Sequence, residues 1–294
     1  TSTQRPVRNR ELMGSAELQV VTGAFGYTGR YIAQRLLDKG TRVKTLTGHP
    51  DRPGPFGDRV AVAPLDFDHP DGLAMSLDGA DTLYNTYWIR FARGDLTFER
   101  AVDNSVALIR AAERAGVRRI VHVSIANASA SSPLPYFRGK GLVENAIKDS
   151  GLSHAILRPT FVFGSGDVLL NHIAWALRRF PVFPIAGSGR YEVQPVFVGD
   201  LARLAVEAGR RDTNEVFDAA GPERFAFEDL VSLIRDRVGA RAGLLHLPSG
   251  MVRAMTGVIG LLVKDVVLTA DEIAEYYIAN YYDQAGAHAQ NLNP

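Results

Sequence analysis

No cysteine occurs among the 294 residues. Disulfides, thiolate catalysis and cysteine-ligated zinc are therefore excluded. A reducing compartment is compatible with that lack. Lysine is scarce as well: 28 of the 33 basic residues are arginine. Neither sign of charge is in excess, since 33 basic and 32 acidic residues leave a formal net charge of +1. Neutralising nucleic-acid phosphates takes a basic surplus or a basic face, so no nucleic-acid partner is expected. Long apolar runs are missing too. The longest uncharged apolar stretch towards the end, residues 254–263, is about half of what a bilayer-spanning helix needs. Residues 1–11 carry Arg5, Arg8 and Arg10 but no apolar core of a secretory signal. A cytoplasmic location is the expectation from these two absences. Seven histidines are scattered without metal-ligand spacing, so no metal site is expected.

What is present is ordinary for a globular protein, with 46% hydrophobic and 22% charged residues. Residues 1–16 are polar and aperiodic and read as a flexible arm. Strand-like and helical segments then alternate. A short apolar strand at 18–22 precedes a helix at 27–39, which stops at Gly40. Strands are expected at 41–47, 60–65, 81–87, 119–123 and 153–158, and helices at 70–77, 97–115 and 136–149. This rhythm implies a doubly wound parallel sheet of Rossmann type, an α/β fold, over residues 17–166. From residue 167 the alternation loosens into a small α+β lobe, reaching 282 and interleaved with the sheet. Helices are expected there at 167–179, 200–208, 226–238, 250–262 and 270–282, followed by a polar tail at 283–294.

The strongest motif is Thr22-Gly23-Ala24-Phe25-Gly26-Tyr27-Thr28-Gly29-Arg30, which opens a helix directly after the first strand. Gly23 permits a tight turn. Gly26 lets a pyrophosphate approach the backbone and the helix N-terminus, and Gly29 lets the helix pack closely on the sheet. The spacing G-x-x-G-x-x-G predicts a dinucleotide site. The second strand ends Thr47-Gly48-His49 without the acid that holds the ribose hydroxyls of NAD. Arg30 and Arg52, with His49 between them in sequence, offer a cationic pocket for a 2′-phosphate. NADP is therefore the expected cofactor, with NAD as the alternative. The plainer reading makes both arginines surface residues of an arginine-rich chain. Asp66 and Phe67, after the third strand, are candidates for the adenine amino group and ring face, or a simple strand-end cap.

Tyr136 and Lys140 open a predicted helix one turn apart on one face. An ammonium there favours the tyrosinate and can hold the cofactor ribose, which suits Tyr136 to acid/base work. Ser124 lies past the fifth strand, at the edge where parallel-sheet sites form. These three are the candidate catalytic residues. In the alternative reading, Lys140 only binds ribose and Tyr136 only packs.

Taken together, the glycine turn, Val121-His122-Val123-Ser124, Tyr136-Phe137-Arg138-Gly139-Lys140, the run from Leu157 to Gly164 and the run from Gln194 to Asp200 resemble an atypical short-chain dehydrogenase/reductase. Within that group the chain is similar to NmrA-like proteins and to the NAD(P)-binding accessory subunit of respiratory complex I. The resemblance implies Ser124, Tyr136 and Lys140 in the active-site roles. It also implies Pro159 and Thr160 beside the nicotinamide, and Asn85 and Thr86 over the cofactor. Tyr84, Tyr87 and Trp88 stand where that group commonly has small residues.

Three functions follow as expectations. The first is an NADP-dependent oxidoreductase acting on a small carbonyl, enone or quinone. The second is a non-catalytic NAD(P)-binding sensor or assembly subunit. The third is a nucleotide-sugar epimerase or dehydratase. A small-molecule substrate is expected. The apolar helix near residues 251–263 is a candidate contact with a protein or a membrane surface. The sequence leaves the oligomeric state open.

Overall fold

The computed structural model describes residues 17–90, 92, 94–248, 251 and 290–291. The expected arm, the two helices after residue 249, the apolar contact helix and most of the tail lie outside the described residues.

The first half runs β1 (Leu18–Thr22), α1 (Tyr27–Asp38), β2 (Arg42–Thr47), β3 (Val60–Pro64), α2 (Pro70–Ser76), β4 (Ala80–Asn85), α3 (Phe98–Arg114), β5 (Arg119–Val123), α4 (Pro135–Asp149) and β6 (Ser153–Pro159). The second half runs β7 (Phe161–Phe163), α5 (Leu169–Arg179), β8 (Val182–Ala186), β9 (Glu192–Val193), β10 (Pro195–Phe197), α6 (Val198–Gly209), β11 (Glu215–Ala220), β12 (Phe225–Ala226), α7 (Phe227–Arg237), β13 (Gly243–Leu247) and β14 (Gln290–Asn291). The main sheet has the order β14-β11-β6-β5-β4-β1-β2-β3, and its pairings are parallel. Residues 290–291, expected to fray with the tail, pair instead with β11.

The sheet is buried on both faces. Val20 of β1 joins Leu73, Leu83, Leu108 and Ile120 on the side of α2, α3 and α4. The next residue, Val21, joins Ile32, Leu36 and Leu201 on the side of α1 and α6. Alternate side chains serving two cores explain why these strands read as continuous apolar runs rather than alternating ones. Strand order reverses between β1 and β4, which opens a crevice at their C-terminal ends.

The second half does not form a separate layer. β11 extends the main sheet beside β6, and α6 packs against α1. Arg119, fully buried, fixes this join by donating to the carbonyls of Ala208 (2.8 Å) and Thr213 (3.0 Å). The remaining lobe is α5 and α7 over the two-stranded β8–β13 sheet, around Ile173, Leu177, Phe183, Ile185 and Val231.

Candidate dinucleotide site

The glycine turn lies in the crevice, at the C-terminal end of β1. Gly23 adopts φ +63°, and its N–H donates to the carbonyl of Leu46 at 2.9 Å. Gly29 packs so tightly that a Cβ there would lie 2.3 Å from the Gly23 carbonyl oxygen. Gly26 is the N-cap of α1. It brings no side-chain cap, and the first turn carries no acid. The N–H groups of that turn are thus left to an outside acceptor, and the helix dipole favours an anion there. From the end of β4, Thr86 clamps the turn. Its N–H donates to Thr22 Oγ1 (2.8 Å) and its hydroxyl to the Thr22 carbonyl (2.6 Å). Asn85 is buried, and its Oδ1 accepts from the N–H of Tyr87 at 3.0 Å.

The other residues of the motif face different ways. Phe25 folds over Gly54, where a Cβ would meet its ring at 2.3 Å, and stands 6.5 Å from the Phe56 ring. The Tyr27 hydroxyl is buried without a hydrogen-bond partner among the described residues, and burial with the nearby Asp167 charge pushes its pKa up. Thr28 is half-buried in the first turn of α1. Arg30 and Tyr31 both donate to the carbonyl of Ser165, at 3.4 and 2.9 Å.

Beyond β2, His49 and Arg52 are exposed, and the Arg52 N–H closes a turn onto the His49 carbonyl at 3.2 Å. Arg30 is therefore occupied at the loop after β7, whereas Arg52 stands beside the end of β2. At the C-terminal ends of β2 and β3 lies a cavity of about 420 Å³, lined by Thr47, Gly48, Pro50, Asp66, Phe67 and Arg100 among others. The Phe67 ring lies 4.7 Å from that of Tyr87. Asp66 accepts from His69 Nδ1 at 2.8 Å, and this bond holds its carboxyl below the usual carboxylate range. Pro159 and Thr160 are buried at the end of β6, with the Thr160 hydroxyl donating to the Gln194 carbonyl at 2.5 Å. The chain thus offers a phosphate cradle at α1 and a base-sized cavity beside β2 and β3, and this arrangement fits a dinucleotide.

The three candidate catalytic residues are held differently from one another. The Ser124 hydroxyl donates to Glu144 Oε1 at 2.6 Å. Glu144 is buried and is clasped by Arg158 through Nε (2.9 Å) and Nη2 (2.5 Å). Lys140 is buried, donates to the Val123 carbonyl at 2.9 Å, and lies 4.8 Å from the centre of the Trp88 ring. Burial drives its pKa down from 10.5 to about 7, against the pull of Glu144. The Tyr136 ring meets Trp88 (6.0 Å) and Phe98 (5.7 Å) edge-on. Trp88 lies over Gly139, where a Cβ would come within 2.8 Å of the indole. One indole therefore touches both members of the Tyr-x-x-x-Lys pair.

Glu144 and Phe98 had not been singled out from the sequence. The signal for Glu144 was present: Lys140, Glu144 and Lys148 recur at four-residue intervals on one helix, and Glu144 pairs with Lys148 at 3.6 Å. Phe98 gave none, since its place against Tyr136 depends on how α3 packs on α4.

Residues 23–166 match a family model described as NAD(P)H-binding. The chain is 28% identical over 264 residues to NADH dehydrogenase [ubiquinone] 1 alpha subcomplex subunit 9, mitochondrial, of Arabidopsis thaliana. That match covers 86% of this chain and 65% of the plant protein. The chain is 25% identical to the mitochondrial NADH-ubiquinone oxidoreductase 40 kDa subunit of Neurospora crassa, covering 93% of this chain and 75% of the fungal one. Among solved structures, UDP-N-acetylglucosamine 4-epimerase from Bacillus cereus superposes with a TM-score of 0.67 at 15% identity, over 79% of this chain and 86% of that one. At that identity the likeness is one of fold. The expected cytoplasmic location is corrected by these relatives, which are mitochondrial proteins by name. No described helix is long and apolar enough to cross a membrane. Residues 23–166 are thus a domain of the NAD(P)H-binding kind on a Rossmann fold, in a chain similar to mitochondrial NADH dehydrogenase (ubiquinone) subunits.

Proposed function

We propose that this chain binds NADP(H) as a structural ligand and acts as an accessory or assembly subunit of a respiratory-type complex, without turning the nucleotide over. The observation that carries this reading is the state of the candidate catalytic residues. The Ser124 hydroxyl donates its proton to buried Glu144, one of the Lys140 N–H groups goes to the Val123 carbonyl, and Trp88 covers the helix face between Tyr136 and Lys140. A reductase needs the serine and tyrosine hydroxyls to converge on one substrate oxygen. A nucleotide-binding subunit needs only the cradle. The similarity to the plant and fungal complex I subunits supports the same reading.

A bound dinucleotide would place its pyrophosphate on the N–H groups at Tyr27–Gly29, since that of Gly26 donates to the Gly23 carbonyl, and its adenosine in the cavity beside Thr47–Gly48 and Asp66–Phe67. We assign the 2′-phosphate to the exposed guanidinium of Arg52, because no acid ends β2 and Arg30 is engaged elsewhere. The nicotinamide would supply hydride chemistry when bound. Lys140, titrating near neutrality, is the one feature that favours the oxidoreductase reading.

The test is a fluorescence titration with NADPH and NADH, using energy transfer from Trp88 and Trp175, followed by turnover assays on carbonyls and quinones. NADPH binding about tenfold tighter than NADH, reduced to parity by Arg52→Gln, is expected from one charge-assisted phosphate contact. No turnover is expected. Steady-state reduction of any of these substrates that disappears in Tyr136→Phe would overturn the subunit reading and establish the oxidoreductase. Equal affinities for the two nucleotides would remove the assignment of Arg52.

A further inference from the structure

One group of buried polar atoms is not used by the dinucleotide crevice. Asn85 Nδ2, both ring nitrogens of His122 and the Trp88 indole N–H are buried and make no hydrogen bond among the described residues. Asn85 and His122 are 0% exposed as whole residues. Buried amides and imidazoles are nearly always partnered, so these atoms mark a place where a partner belongs.

The topology sets them side by side. Asn85 of β4 and His122 of β5 are register partners, with Cα atoms about 4.8 Å apart. Two residues earlier on the same strands, Leu83 and Ile120 face the core under α2, α3 and α4. Side chains two apart share a face of a strand, so Asn85 and His122 point to that side too. Lys140 enters the same layer from α4, on the helix face that puts Val143 and Ile147 into this core.

The hydrogen-bonding needs of the three residues differ. The Asn85 oxygen accepts from the Tyr87 N–H at 3.0 Å, which turns the two amide N–H donors elsewhere. Burial first, and the Lys140 charge second, push the His122 pKa well below the usual histidine value, against a smaller pull from the Asn85 backbone. The ring is therefore neutral, with one donor and one bare acceptor nitrogen. Lys140 gives one N–H to the Val123 carbonyl and keeps two. The other charge beside it, Glu144, is already held by Ser124, Arg158 and Lys148.

These needs select one class of ligand. An anion only accepts, and leaves the bare imidazole nitrogen unmet. A cation meets N–H donors and the Lys140 charge. Water accepts from Asn85 and Lys140 and donates to His122, and an internal water makes about three such bonds. We propose that the His122 ring and the Asn85 amide form an internal water site between the sheet and α4, and that His122 is a positioning residue which solvates the Lys140 ammonium through that water. The site does not depend on whether the nucleotide is turned over.

The experiment begins with the wild-type chain, in nuclear Overhauser spectra between water and protein. Cross-peaks from water to the Asn85 side-chain amide, of the sign that excludes chemical exchange, are expected. Their absence would overturn the proposal, whatever any variant does. His122→Phe keeps an aromatic ring and removes both nitrogens. It should abolish those cross-peaks. It should also lower the Lys140 titration midpoint, read from the Cε carbon shifts of the five lysines, by on the order of half a unit, because the ammonium loses its solvent. A packing role for His122 would leave that midpoint in place, so an unchanged midpoint in the folded variant would overturn the positioning role. Persistence of the cross-peaks in the variant would overturn the assignment of the water to His122.

Discussion

Lys140→Met should change how stability depends on pH more than it changes stability at neutrality. In the unfolded chain this lysine titrates at its ordinary value of 10.5, and in the folded chain at about 7, because burial penalises the ammonium more than Glu144 supports it. Between those two values the unfolded state binds the extra proton, so stability rises with pH across that window. The slope approaches about 1.4 kcal/mol per pH unit for one proton. At pH 7 the native state carries a cost on the order of 4 kcal/mol relative to pH values above 10.5. Methionine fills a similar volume and has no proton to lose. It forfeits the bond to the Val123 carbonyl, worth about 1 kcal/mol, and leaves Glu144 with its partners Arg158 and Lys148. The variant should therefore be about as stable as the wild type at pH 7, or more so. Urea unfolding of both proteins at pH 7, 8 and 9 measures the difference. The wild type should gain roughly 2 kcal/mol on the variant between pH 7 and 9. Parallel stability profiles would refute the reasoning, because they would mean that the ammonium is as well solvated in the folded chain as in the unfolded one.

Two further outcomes follow from the same geometry. Gly29→Ala drives a methyl group onto the Gly23 backbone, so it should destabilise the fold by about 2 kcal/mol or more and abolish NADPH binding. Thermal melts with and without NADPH read both effects. Glu144→Gln strips Arg158 of its ionic partner and should cost about 3 kcal/mol. Chemical denaturation at pH 7 checks this, and a loss below 0.5 kcal/mol would mean that Arg158 finds water instead.

The sequence by itself determined the elements that local chemistry dictates. Gly23, Gly26 and Gly29 specify a strand–turn–helix from local chemistry: Gly23 supplies φ +63°, a Cβ at Gly26 would sit at a tight 3.2 Å from the Gly23 carbonyl oxygen, and at Gly29 it would collide with the Gly23 backbone. The alternation through β6 predicted the parallel sheet, since apolar runs of strand length separated by helical periods have few other ways to bury both faces. The long helix read at 97–115 forms at Phe98–Arg114, where the Thr97 hydroxyl caps the Arg100 N–H at 3.1 Å. The strands of the second half were less legible. Val182–Ala186 and Gly243–Leu247 are 61 residues apart and carry little alternation, and they become strands only by pairing with each other.

The site shows the same division. Ser124, Tyr136 and Lys140 were named from spacing, and spacing places them correctly on β5's exit and on α4. It could not say which way their polar atoms turn. That depended on Glu144 drawing the serine, on the Val123 carbonyl taking the lysine, and on an indole from the loop after β4 settling over Gly139. Each is a contact between segments far apart in the chain. Which group satisfies a buried hydroxyl or ammonium is decided by what packing brings within reach, and only the tertiary structure holds that information.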